Sequence, residues 1–241
     1  LGTANTMQCL SEALGLALPG SGTALAVSAR RLWIAKESGQ QIIRLVEKGI
    51  TSSKIMTKEN LKNAIHVLHA IGGSTNAVIH ILAIAYEMGF ENEINLELFE
   101  RFGQETPCIA AVLPSGPYTM ADFDEAGGIQ VVMKRIEKLL NKEVMTVTGE
   151  TLGTLLNKVP IIDSPVIRGL DNPVNKGGLA ILRGNLAKSA VVRPTVIPKE
   201  MMKHQGSAKV FNSQEEALEA LKENKIEPGD VLVVRYEGPK G

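Results

Sequence analysis

Two short polar turns are the best candidates for chemistry in this sequence of 241 residues. Residues 72–76 read Gly-Gly-Ser-Thr-Asn between two apolar helical patterns, and residues 3–6 read Thr-Ala-Asn-Thr at the start of an earlier one. The first backbone N–H groups of a helix have no helical partner, and the helix dipole favours an anion there. Each turn could therefore bind a carboxylate or a phosphate, or it could simply cap its helix. The residue types alone leave both alternatives open.

The histidines and cysteines give weaker signals. His66 and His69 have the i, i+3 spacing of a metal-binding pair, but no nearby Cys or carboxylate completes a ligand set, which favours a pair on a helix surface. His80 lies in an apolar helical pattern and is expected to be a hydrogen-bonded core histidine. Cys9 and Cys108 lack a neighbour that would activate a thiol, so we expect both to be small core residues.

Composition excludes several classes of protein. Lys plus Arg equal Asp plus Glu at 26 each, so no basic field is available to attract nucleic acid. No apolar run approaches the ~20 residues that span a bilayer, which argues against a membrane protein. Two cysteines fit a reduced, cytoplasmic protein better than a disulfide framework. The chain lacks an initiator Met and a signal-peptide pattern, and we therefore expect an internal piece of a longer protein.

The elements that position the two turns are helices. Apolar residues recur at helical spacing up to about residue 156. One stripe is formed by Leu10, Ala13, Leu14 and Ala17. The spacing continues in a second segment with Leu32, Ile42, Ile43, Leu45 and Val46. Thr57 is a suitable N-cap for the helix that ends at the two glycines, and Ser74 or Thr75 is suitable for the next.

The pattern changes near Asp163. Short β-branched runs follow at 165–167, 179–183, 190–197, 208–211 and 230–236, and one helix interrupts them. Ser213 and Glu216 have the spacing of a capping box at the start of that helix. We therefore predict a helix-rich part over residues 1–163 and a β-rich part over residues 164–241.

Seven short motifs follow one another along the chain: TANTM at 3–7, EALGLALPG at 12–20, GGSTNA at 72–77, PSG at 114–116, VTG at 147–149, RGNLA at 183–187 and RYEGPKG at 235–241. In this order they resemble the motifs of the dihydroxy-acid dehydratase and phosphogluconate dehydratase family, over the whole chain. The resemblance implies a cytoplasmic homodimer of the α/β class, in which a helix-rich α/β domain precedes a β-barrel-like (swivelling) domain. Both domains would be incomplete in this chain.

The resemblance also implies a reaction, the dehydration of a small 2,3-dihydroxy acid to a 2-keto acid. In the family an iron–sulfur cluster, [2Fe-2S] or [4Fe-4S], acts as Lewis acid, Mg²⁺ holds the substrate carboxylate and a serine alkoxide takes the C2 proton. The metal ligands and the serine base would lie outside this chain, which is then expected to be inactive alone and to hold no metal. The residues left to bind substrate or to support those that do are Thr3, Asn5, Thr6, Ser74, Thr75, Asn76 and Lys240.

Three functions remain open at this point. The leading hypothesis is a hydro-lyase of branched-chain amino-acid biosynthesis, which Ala-Asn-Thr-Met at residues 4–7 favours. The second is a dehydratase of sugar acids, either an aldonate or 6-phosphogluconate, whose relatives often read Ala-Ser-Thr-Met there. The third is a non-catalytic scaffold or binding module, because the chain has no metal ligands of its own.

Overall fold

The computed structural model describes residues 1–238. The chain divides into two compact units, of which the first comprises Leu1–Val196 and the second begins at Ile197. The first unit contains nine α-helices and a two-stranded antiparallel sheet: α1 (Thr3–Ala13), α2 (Ala29–Glu47), α3 (Ser52–Ile55), α4 (Lys58–Ala70), α5 (Asn76–Glu87), α6 (Leu96–Glu105), α7 (Met120–Glu125), α8 (Gly128–Arg135), α9 (Leu152–Leu156), β1 (Ala180–Leu182) and β2 (Ala190–Val192).

Helix α4 forms the centre of the first unit, with α1, α5, α6 and α8 packed around it. Almost every α4 residue after its first turn is buried, including Leu61, Ile65 and Leu68. The Thr57 side chain accepts a hydrogen bond from the Asn60 amide at 3.3 Å, which confirms the predicted N-cap. Burial on all sides makes α4 the fixed support for the turn that follows it.

Helix α2 is the most exposed of the long helices. Of the apolar residues in its predicted stripe only Leu45 is buried, while Leu32, Ile42, Ile43 and Val46 are more than half exposed. The periodicity therefore located an amphipathic helix, but within the described residues its apolar face has no covering layer.

Residues 165–196, here called the strap, run across the first unit. Isolated bridges join Ile167 to Ala110 and Asn175 to Cys108, and β1 and β2 then form a hairpin. The predicted strands at 179–183 and 190–197 are present as β1 and β2, although the second ends in a 3₁₀ turn at Pro194–Val196. The predicted strand at 165–167 contributes only a single bridge.

The second unit contains β3 (Ala208–Phe211), α10 (Gln214–Lys222) and β4 (Val231–Val234), with β3 and β4 paired in parallel. Ser213 accepts from the Glu216 amide at 3.1 Å, so the predicted N-cap is confirmed. Helices and strands therefore occur together, as the α/β class requires, but the strands described here form two small sheets and no closed barrel. The domain boundary near Asp163 stays a prediction. Within residues 1–238, none of the helices combines the length and apolar character needed to cross a bilayer.

Candidate functional site

The two polar turns, 68 to 73 residues apart in sequence, meet in the first unit. The Thr6 hydroxyl accepts a hydrogen bond from the Ser74 amide at 3.0 Å. Asn76 Nδ2 donates to Thr3 Oγ1 at 2.8 Å, and Thr3 Oγ1 lies 3.3 Å from Ser74 Oγ. The start of α1 and the start of α5 are therefore joined by side chains from both turns.

Two glycines allow this close approach. Gly72 has φ +57°, a backbone conformation that residues other than glycine rarely adopt. A Cβ on Gly73 would lie 2.5 Å from Leu68 Cδ1 and 2.7 Å from Thr6 Cγ2, closer than carbon atoms can pack. Glycine at position 73 therefore lets the backbone ahead of α5 rest directly on α1.

The two helix starts differ in how their amides are used. At α5, the Ser74 hydroxyl accepts from the Asn76 amide at 3.3 Å, and the Ser74 carbonyl accepts from the Ala77 amide. Ser74 therefore caps α5, whereas Thr75 makes no side-chain cap. The turn at 72–76 thus has a capping role, which was one of the two alternatives for it.

At α1 the amides remain available. Its N-cap, Gly2, offers no side-chain acceptor, and the first backbone bond of the helix runs from the Thr6 amide to the Gly2 carbonyl. The three amides before Thr6 have no acceptor among residues 1–238. Neither α1 nor α5 carries an acidic residue in its first turn, so no carboxylate there offsets the positive ends of the two dipoles. The start of α1 thus has three amides without an acceptor among the described residues, and the Thr3 and Ser74 hydroxyls lie beside them.

The predicted site residues differ in burial and in hydrogen bonding. Asn5 and Thr75 are half-buried, and neither side chain is hydrogen-bonded to the group that joins the two helix starts. Asn76 is exposed, whereas Thr6 is fully buried and Ser74 is 7% exposed. Lys240 lies outside the described residues.

Three further residues support the two turns or the backbone just ahead of them: Ser115, Arg193 and Thr195. Arg193 and Thr195 were not predicted from the sequence. The Ser115 and Thr195 hydroxyls lie 2.7 Å apart, and Ser115 Oγ would be 3.0 Å from a Cβ on Gly72. Arg193 Nη2 donates to the Leu1 carbonyl at 3.2 Å. Ser115 belongs to a recognised motif, but nothing local in the sequence distinguishes Arg193 or Thr195, since both contacts join residues at least 80 positions apart.

The described residues do not fit an iron–sulfur cluster or a magnesium ion. Cys9 and Cys108 are fully buried, as expected of core residues, and their thiols donate weakly to carbonyl oxygens. Burial raises the pKa of both thiols, that of Cys108 to about 12, which disfavours the thiolate that ligates iron. Among residues 1–238, no three His, Cys, Asp or Glu side chains come together as a metal site would require.

The histidines occupy positions opposite to those expected. His66 and His69 are buried in the core and are not a surface pair, while His80 is exposed and is not a core histidine. The His66 ring stacks on Phe102 with centroids 3.8 Å apart, and its Nδ1 lies 2.7 Å from Thr106 Oγ1. Helix α4 is buried on the side that carries both histidines, which a single-helix pattern could not reveal. His66 therefore contributes to core packing, whereas neither ring nitrogen of His69 has a hydrogen-bond partner among the described residues.

Comparison with known proteins gives consistent results for both parts of the chain. The family model described as dihydroxy-acid/6-phosphogluconate dehydratase N-terminal matches residues 1–155, and its C-terminal counterpart matches residues 165–241. Curated dihydroxy-acid dehydratases from Ignicoccus hospitalis and Methanothermobacter thermautotrophicus are 48% and 49% identical, over 243 and 241 residues. Each alignment covers 99% of this chain and 44% of the relative, so the chain spans less than half the length of the relatives it matches. The chain belongs to the dihydroxy-acid/6-phosphogluconate dehydratase family.

Proposed function

We propose that the whole protein is a hydro-lyase that converts a 2,3-dihydroxy carboxylic acid to a 2-keto acid. The reaction removes the C2 proton and the C3 hydroxyl as water, and the resulting enol tautomerises to the keto acid. The relatives named above are dihydroxy-acid dehydratases, which supports a dihydroxy acid as the substrate, and Ala-Asn-Thr-Met at residues 4–7 favours one of branched-chain amino-acid biosynthesis. Sugar acids are the less favoured alternative, because the relatives named above are dihydroxy-acid dehydratases.

The observation that carries this proposal is the open start of α1 beside the capped start of α5. The substrate is a carboxylate, and negative charge develops next to it as the C2 proton leaves. Free amides at a helix N-terminus are already oriented toward such a charge and need no reorganisation during the reaction. The Thr3 and Ser74 hydroxyls are hydrogen-bonded to each other, and the hydroxyl hydrogen that this bond leaves unused is a further donor at the same place. We assign this part of the chain to binding and orienting the anionic end of the substrate.

The proposed cofactors are an iron–sulfur cluster with two or four irons and Mg²⁺. The cluster would supply Lewis acidity toward the leaving hydroxyl. Since residues 1–238 do not offer suitable ligands, other segments of the whole protein would have to hold both groups. We further propose that the whole protein is a cytoplasmic homodimer, with a domain boundary near Asp163 and a barrel-like second domain that includes segments beyond this chain.

Anaerobically purified full-length protein tests the proposal. It should form a 2-keto acid from a branched 2,3-dihydroxy acid much faster than from an aldonate or 6-phosphogluconate, and it should contain iron. Faster turnover of a sugar acid would support the second hypothesis. A folded full-length protein that contains no iron and dehydrates none of these acids would contradict the proposal and favour a scaffold.

A further inference from the structure

The strap ends at the start of α1, although it belongs to the region matched by the C-terminal family model. Near its end, Thr195 and Arg193 make polar contacts to residues that lie 80 and 192 positions before them in the sequence. Ile197, two residues after Thr195, begins the second compact unit. These contacts therefore fix the end of the strap inside the first unit.

Arg193 is bonded to the residue just ahead of the N-cap of α1. Its Nη2 donates to the Leu1 carbonyl at 3.2 Å. Leu1 is 8% exposed, so the carbonyl that accepts this bond belongs to a buried residue. Because Gly2 has no side chain of its own to anchor the turn, Arg193 supplies an anchor from outside the helix.

The charge of Arg193 is not matched by a carboxylate. Among residues 1–238 no Asp or Glu lies within ion-pairing distance of its guanidinium, and burial lowers the pKa of the group. The guanidinium nevertheless remains protonated in proteins. The guanidinium therefore adds a positive charge beside the start of α1, where the helix dipole already favours an anion.

The Thr195 hydroxyl makes a further polar contact near the end of the strap. It lies 2.7 Å from Ser115 Oγ, and Ser115 contacts the Gly72 turn that leads into α5. The strap therefore holds the backbone ahead of α1 through Arg193 and the backbone ahead of α5 through Thr195 and Ser115. One short segment sets the position of both helix starts.

We propose that Arg193 is a positioning residue of the anion site, which anchors the backbone ahead of α1 and adds its positive charge to the free amides there. The substrate's carboxylate is the anion that it favours. This inference rests on the proposed function and adds a specific residue to it. Arg193 acts through the Leu1 backbone and through its field, so its loss should weaken substrate binding more than it slows the chemical step.

The test compares three variants of the full-length enzyme. Arg193→Gln should raise KM for the dihydroxy acid by about tenfold or more while kcat changes less, because a bond to a charged group and its field are lost. Arg193→Lys keeps the charge without the planar fork and should recover much of that loss. Arg135→Gln is the matched control, since Arg135 also donates to a backbone carbonyl, that of Ile162 at 2.8 Å, in the same unit. It should alter Tm without altering KM.

The outcomes distinguish a failure of this inference from a failure of the proposed function. If the wild-type enzyme dehydrates the acid but Arg193→Gln leaves KM unchanged, the inference is wrong and the proposed function stands. The inference is equally wrong if Arg193→Gln and Arg135→Gln raise KM to the same extent, or if Arg193→Lys is as impaired as Arg193→Gln. If the wild-type enzyme dehydrates none of the acids, the proposed function itself fails. Thermal protection of each variant by the 2-keto acid product provides a readout of binding that does not depend on turnover.

Discussion

The Thr6 hydroxyl accepts a hydrogen bond from the backbone amide of Ser74, although 68 positions separate the two residues in sequence. Both groups are buried, and an unpaired buried amide would cost about 1–3 kcal/mol. This bond joins the first turn of α1 to the turn ahead of α5. It therefore defines the geometry of the candidate site more directly than any local feature of either helix.

Gly73→Ala should destabilise the protein, because the new Cβ would overlap Leu68 and Thr6, both fixed in the core. Overpacking of this kind typically costs about 1–3 kcal/mol. Gly39→Ala is the matched control: a Cβ there meets nothing within 4 Å, and Gly39 lies inside the exposed helix α2. That variant should be more stable by up to about 1 kcal/mol, because alanine is the better helix former. Urea unfolding of both full-length variants measures the difference, and equal stabilities would contradict the packing described here.

Stability should fall below neutral pH because of the two core histidines. Burial is the main cause that lowers the pKa of His66 and of His69 from 6.5 to about 4. Since the folded-state pKa is the lower one, the unfolded chain takes up protons first as the pH falls. The part of the free energy of unfolding that depends on the two neutral rings is therefore complete above pH 6.5 and is lost as the pH falls toward 4. Between pH 7 and pH 5 the loss should be on the order of 1–2 kcal/mol per histidine.

His69→Leu isolates this effect. The Phe99 carbonyl lies close to the His69 ring, but neither ring nitrogen makes a hydrogen bond of normal geometry within the described residues. Leucine has a similar size and cannot be protonated, so the variant should lose less stability than the wild type between pH 7 and pH 5. The free energy of unfolding at the two pH values provides the measurement. Identical losses in both proteins would show that His69 does not carry the pH dependence.

Local signals in the sequence predicted the helix starts well. Thr57 and Ser213 are N-caps, as their residue types and spacing indicate, because a cap depends on atoms within three residues. Burial was harder to predict, because it depends on what packs against a helix. Ile42 and Ile43 lie on an apolar face that the described residues leave open, whereas His66 lies on a face that α6 covers.

The candidate site could be predicted only in part. The motifs identified both turns, but not that the α5 turn is capped while the α1 amides remain free. That difference depends on the conformation of Ser74 and on the absence of a side chain at Gly2. The contacts of Arg193 and Thr195 depend on the path of the strap, which no local pattern encodes.

Replacing Ser74 by alanine is the most direct test of the central claim, that the joined helix starts bind the anionic substrate. Ser28→Ala is the matched control, because Ser28 caps α2 by accepting from the Arg31 amide at 3.3 Å, the distance of the Ser74 cap. Each variant of the full-length enzyme should lose about 1 kcal/mol of stability with its cap. Only Ser74→Ala should also lower kcat/KM, by about tenfold, because it removes a donor beside the substrate's carboxylate. A Ser74→Ala enzyme that melts earlier but keeps the wild-type kcat/KM would contradict the account and leave Ser74 as a helix cap alone.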